Sequence, residues 1–352
     1  MTFTQNTIEN IQFLKNNYSL DPHKPNIKYT LRRIHNAMNK IHIKHHSYVE
    51  HSNVAVVENS SLFFPSVIVN YINKTRFREY IFKIHKQNYR FMIKLYSETS
   101  IHIKEYIKKI KTIIVMFIRC KPSLQKTYNN ITIYLTDFEK TKEYMNTGFT
   151  YGNNIVLYRK EEWFKVFIHE CIHLFDFDFH NHNDFSKMKQ YFPIQSQFLL
   201  FETYTEFWAR IINISWLSRH KSFRIFEHRF HKYFKREQLY ACLMTNKLLN
   251  EQNLTYQDLL QHNNHYQEKT NIFCYVILTS LLFFHIQETM DFFESEHLFH
   301  YEKSVDQFMN FIIHLHKKDK WLHHLDQINY VSTTNRNMAL YDINKSFLII
   351  LH

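Results

Sequence analysis

At 352 residues the chain is long enough to bury a substantial core, as one large domain or as two lobes. Only 2 Gly and 5 Pro against 33 Phe and 23 Tyr predict a helix-rich protein with few tight turns, and the bias fits an AT-rich coding genome. The formal charge of +12 favours acidic partners, while Cys120, Cys171, Cys242 and Cys274, with no Cys-x-x-Cys pair among them, exclude a disulfide framework and fit a reducing compartment.

Residues 1–58 are polar, mixed in charge and rich in His and Asn, and read as a peripheral N-terminal extension with a helical pattern from Tyr29 to Ile43. The first residues carry no basic-then-apolar leader pattern. Glu79 to His85 and Tyr89 to Tyr96 alternate around Lys86-Gln87-Asn88 and predict a hairpin. Thr99 to Arg119 predicts a helix that stops before Pro122. Ile131 to Thr136 is β-branched and alternating, a strand; Asn146 to Asn154 holds both glycines and reads as turns; Ile155 to Tyr158 is a second strand. After Asp184 the pattern is helical, with helices expected over Gln197 to Leu217, Phe223 to Leu249, Asn271 to Phe293 and Val305 to Lys317. The most apolar run, Ile272 to Ile286, is too short for a bilayer and is broken by polar residues, so a buried core helix in a soluble, cytoplasmic protein is expected. The expected architecture is α+β: an extension (1–58), a sheet-bearing lobe (59–184) and a helical lobe (185–352).

Directly after the second strand comes Trp163-Phe164-Lys165-Val166-Phe167-Ile168-His169-Glu170-Cys171-Ile172-His173-Leu174. Residues four apart share a helix face, so His169 and His173 can reach one metal ion, and Glu170 can touch a water beside it. With 25 His in the chain such pairs are cheap. The flanks add weight, because a helix apolar on nearly every side is a buried helix, and two His and a Glu inside one need partners. The competing reading is a core helix whose histidines make ordinary hydrogen bonds.

A catalytic zinc takes a third protein ligand and keeps one open position. A third His six residues after His173 would mark the metzincin pattern, but Phe179 stands there; His180 is one residue late, and Asp176 replaces the turn glycine. Farther on, Phe201-Glu202-Thr203-Tyr204-Thr205-Glu206-Phe207-Trp208 reads as a helix with Glu202 and Glu206 on one face. Either acid could serve as ligand by that spacing, and aromatic neighbours argue against two merely solvated acids.

A His-Glu-x-x-His helix followed by a helix with Glu-x-x-x-Glu resembles the gluzincin arrangement of zinc metallopeptidases. The blocks NTGFTYG, IVLYRKEEWFKVFIHE and FETYTEFWARIIN further resemble uncharacterised metallopeptidase-like proteins of large nucleocytoplasmic DNA viruses, most closely from Ile131 to Ile212. The resemblance implies a zincin-like fold, a viral source with a place in the host cytoplasm or virion, Zn²⁺ as cofactor, Glu202 as third ligand and Glu206 as the acid that orients a ligand histidine. It also implies that a sheet edge holds an extended peptide, a role expected of Asn154, Ile155 and Val156; an inner strand fits the same residues equally well.

On this reading Glu170 is the general base of peptide hydrolysis. A donor to the developing oxyanion is sought in Tyr275, His265 or Arg336, with Tyr275 favoured among the three; a core tyrosine with a satisfied hydroxyl is the competing and weightier reading of that residue. The expected partner is a peptide or protein substrate, and an acidic one would suit the charge. Two other classes stay open: an inactive virion or host-interaction protein that keeps the fold, and a basic nucleic-acid-associated protein. Lys104, Lys108, Lys109 and Lys111, and Lys317, Lys318 and Lys320, cluster locally, but no nucleic-acid-binding signature accompanies them and solvated faces explain them as well.

Overall fold

The computed structural model describes residues 25–41, 47–55, 57, 63–121, 125–140, 146–182, 184–262, 265–268, 271–295 and 297–334. The fold is mixed α+β. Two compact units emerge: Ile34–Phe177 with His297–His300, and Met1–Arg33 with Asp178–Glu296 and Tyr301–His352. The division after Phe177 falls a few residues before the one expected after Asp184.

Two elements precede the predicted hairpin. Helix α1 (Lys28–Asn39) buries Leu31, Ile34 and Met38, and strand β1 (Val49–Val54) pairs antiparallel with the strand that follows it in the sheet. Lys28–Asn39 and Val49–Val54 are therefore built into the fold, against the expectation of a peripheral extension. Residues 1–24 lie outside the described residues.

The sheet-bearing unit continues with α2 (Ser66–Ile72), β2 (Arg76–Lys86), β3 (Tyr89–Ser97), α3 (Ile103–Cys120), β4 (Thr127–Tyr134), β5 (Gly148–Tyr151), β6 (Asn154–Leu157) and α4 (Trp163–Leu174). The six strands among the described residues form one mixed sheet in the order β1-β2-β3-β4-β6-β5. The expected hairpin is present: β2 and β3 close from Lys86↔Tyr89 through Gln87-Asn88, with Gln87 in the left-handed region at φ 51°. Strands β3, β4 and β6 run parallel, and β5 folds back antiparallel on β6.

Alternation sorts the two sheet faces. Cross-strand rows such as Phe82–Ile93–Ile131–Ile155 and Tyr80–Leu95–Ile133–Leu157 are buried on one face. On the other, Phe77, Tyr96, Tyr134, Phe149 and Tyr158 pack with Phe64, Ile68 and Ile72. Fully burying each such side chain is worth about 1.5–3 kcal/mol.

The strand order overturns one expectation. Ile155 and Val156 sit in β6, hydrogen-bonded to β4 on one side and to β5 on the other, so their backbones have no free edge for a peptide. The outer strand is β5, in the stretch expected as turns. Of its two glycines, only Gly152 (φ 49°) turns the chain. Gly148 opens β5 because a Cβ there would come within 2.3 Å of Leu157 Cδ2 and 2.8 Å of the Val156 carbonyl oxygen.

The second unit is helical. Its main elements are α5 (Leu200–Leu217), α6 (Phe223–Asn250), a π turn (Phe273–Leu278), α7 (Thr279–Phe284), α8 (Ile286–Phe292), α9 (Val305–Leu315) and α10 (Asp319–Thr334). Ser304 and Gln307 form a reciprocal capping box at the start of α9. The single helix expected over Asn271 to Phe293 is broken: Asn271 is left-handed, the first turn is π, and the chain bends by 99° at His285. Thr289 Oγ1 donates to the Leu282 carbonyl and satisfies one acceptor left open by that bend. Among the described residues no single helix is long and apolar enough to cross a membrane.

Candidate metal centre

Helix α4 is buried from Trp163 to Ile172. Its start is fixed by charge. Glu162 adopts φ 54°, and Lys140 Nζ donates to its carboxylate at 2.6 Å with both side chains sequestered from water. The Lys140 backbone N–H donates to Glu161 Oε2 at 2.8 Å. Burial lowers the Lys140 pKa, and Glu162 opposes the shift. The helix end needs no glycine: Asp176 takes φ 48°, its N–H reaches the His173 carbonyl, and the Phe177 N–H reaches the Ile172 carbonyl. This is Schellman closure with Asp at the left-handed position where glycine is usual.

Between these ends, His169 and Glu170 are buried and His173 is half-buried. The two histidine Nε2 atoms lie 3.1 Å apart, with the rings inclined at 73°. Two nitrogens bound to one tetrahedral zinc at 2.0–2.1 Å stand roughly 3.3 Å apart, so the pair is spaced as two ligands of one ion. Glu170 is held from the sheet: Thr150 Oγ1, on β5, lies 2.7 Å from Glu170 Oε2 and 3.1 Å from the Glu170 carbonyl oxygen. Thr150 and Gly148 share the strand face toward α4, where the absent side chain at 148 leaves Val166 within 3.4 Å of an ideal Cβ position. Nothing in the sequence singled out Thr150. Cys171, between the two histidines, is buried and its thiol pKa is pushed well up by desolvation, so it stays protonated.

The remaining candidates other than Asn154 belong to the helical unit. Glu202 is half-buried in the first turn of α5. Glu206, one turn on, is buried and already engaged: Arg210 Nε donates to it at 2.7 Å, and Arg210 Nη1 donates to buried Glu237 at 3.2 Å. Neither Arg210 nor Glu237 was visible as a partner in the sequence. His180 lies 2.6 Å through Nδ1 from Asp178, whose other oxygen accepts from Thr205 at 3.1 Å. Tyr275 is half-buried on the π turn, a deviation often found at functional sites. His265 is exposed, and Arg336 lies outside the described residues. Asn154 is a strand residue whose side chain bonds Asn130 at 3.0 Å and the Tyr151 carbonyl at 3.3 Å.

Comparison with known proteins finds no matching family, no similar curated protein and no similar solved structure.

Proposed function

We propose that this protein is a zinc-dependent metallopeptidase of the gluzincin type. The observation that carries the reading is the paired Nε2 atoms of His169 and His173 beside a glutamate whose carboxylate is held by Thr150. The proposed ligands are His169, His173 and Glu202, donors of a kind that could hold a metal ion. Glu202 is preferred to Glu206 because the charge of Glu206 is already matched by Arg210, which it shares with Glu237. A bound zinc ion would polarise the scissile carbonyl and acidify a water beside it.

In this reading Glu170 accepts the proton as water attacks and returns it to the leaving amine. Thr150 holds one oxygen of that carboxylate in place. The β5 backbone, unpaired on its outer side among the described strands, replaces β6 as the edge that receives an extended peptide. Tyr275 is retained as the proposed donor to the developing oxyanion.

The test is metal content joined to turnover. Purified protein reconstituted with zinc should hold one equivalent, measured by elemental mass spectrometry, and should cleave members of a peptide library. Glu170→Gln should keep the metal and lose about two to four orders of magnitude in rate. Absence of stoichiometric metal from folded wild-type protein sinks the proposal; a Glu170→Gln variant with full activity sinks the assigned base.

A further inference from the structure

Helix α6 begins in the most basic stretch of the chain. Residues 219–236 contain Arg219, Lys221, Arg224, Arg229, Lys232, Lys235 and Arg236, with Glu227 as the sole acid. The helix sorts them by side. Phe226, Phe230 and Phe234 recur every fourth residue and are buried, whereas Arg224, His228, Lys232 and Lys235, three or four residues apart, lie on the exposed side. From Arg224 to Lys235 the row is about 16 Å long at the helical rise. Among the described residues, Arg224, Arg229, Lys232 and Lys235 enter no ion pair. At one end of the row lies a recess of about 460 Å³, walled by Asn26, Lys28, Arg224, Glu227, His228 and His231. All of these residues belong to the helical unit.

We propose that this face binds the phosphate backbone of a nucleic acid, independently of the metal centre. A row of about 16 Å is long enough to meet several phosphates of a duplex, each strand of which carries one charge per about 3.4 Å of helix axis. The recess offers guanidinium, ammonium, imidazole and amide donors, a set suited to phosphate oxygens, with the Arg fork able to engage two at once. An anionic membrane fits less well. A helix that lies on a bilayer inserts its apolar side, and here that side is occupied by the protein core, with Ile225 the one large apolar side chain exposed on this helix. No base-reading element accompanies the row, so the binding is to backbone and independent of sequence.

The experiment titrates full-length protein into a fluorescein-labelled DNA duplex at salt from about 50 to 200 mM. Arg224→Glu/Lys232→Glu/Lys235→Glu should weaken binding at least about tenfold and reduce the steepness of log K against log salt by about 3. The neutral triple Arg224→Gln/Lys232→Gln/Lys235→Gln should give a smaller loss in the same direction, which guards against misfolding of the reversed variant. The control Lys83→Glu/Lys86→Glu/Lys94→Glu changes net charge equally, at exposed positions on β2 and β3, and should leave affinity within about twofold. The proposal falls if the wild type does not bind duplex at about 50 mM salt, or if control and test variants lose affinity alike. Tighter binding of phosphatidylserine vesicles or polyglutamate than of duplex at equal salt also overturns it, in favour of a membrane or an acidic protein.

Discussion

Thr150 Oγ1 donates to Glu170 Oε2 across 2.7 Å, joining the outermost strand of the sheet to the residue beside the two histidines. A hydrogen bond to a charged group contributes about 1.5–3 kcal/mol. Thr150→Val, close in shape but without the hydroxyl, should lower kcat about tenfold on any peptide the protein cleaves, with KM little changed. Thr150→Ser should restore most of the rate. A Ser variant as slow as Val would assign the effect to packing of the methyl group instead.

The two acids of α5 separate by metal titration. Glu202→Ala should abolish tight zinc binding, whereas Glu206→Ala should weaken it by about 10- to 100-fold, the usual consequence of losing an outer partner. Glu206→Ala should also cost stability, about 1.5–3 kcal/mol, because it removes one charge-assisted hydrogen bond from buried Arg210, which keeps Glu237 as its partner. Isothermal titration and urea unfolding read the two effects separately. A greater loss of zinc affinity in Glu206→Ala would exchange the two roles.

Lys140 and Glu162 form a sequestered pair where α4 begins. Lys140→Met removes one partner of this buried ion pair, 2.6 Å from the Glu162 carboxylate, and should destabilise the protein by about 3–5 kcal/mol. The double variant Lys140→Met/Glu162→Gln should recover much of that loss. Denaturant midpoints decide the matter, and a double variant no more stable than the single one would argue that packing of the lysine stem dominates.

Acid should weaken the helical unit through two imidazoles. Burial lowers the pKa values of His285 and His324 from 6.5 to about 4, with Glu288 partly opposing the shift at His285. Between those values the unfolded chain binds protons that the folded chain refuses. Stability is therefore unaffected above about pH 6.5 and falls as pH drops toward 4, by up to roughly 3 kcal/mol for each group. His324→Leu should flatten that limb when unfolding free energy is measured from pH 7 to 4. An unchanged slope would show that His324 titrates normally.

The sequence made visible whatever was periodic and local. The β2–β3 hairpin declared itself by alternation, and α4 by an apolar pattern around His169 and His173. Gly148 reads as a turn because composition cannot distinguish a bend from a close approach, and so β5 is hidden in the sequence. The interior position of β6 was equally hidden, since pairing with β4 and β5 is a fact of strand order rather than of Ile155 or Val156 themselves. Helix α10 is hard to see in the sequence because its buried Trp321, Leu325 and Ile328 are diluted by charged and histidine neighbours. At the candidate site, Glu170 was legible by spacing, but Thr150 and the Arg210–Glu237 contact join residues about twenty or more positions apart, and no local pattern announces them.

Strand β5 is four residues long and gains its ladder from β6 alone. Its order is thus borrowed, and a second ladder on its outer side would stiffen it. Thr150 rides on that strand, so whatever occupies the outer edge also sets how sharply the Glu170 carboxylate is aimed. In the proposed enzyme, an extended substrate would therefore tighten the geometry of its own proton acceptor as it docks. Short peptides that reach Glu170 without pairing along β5 would forgo this and turn over more slowly than their contacts alone suggest.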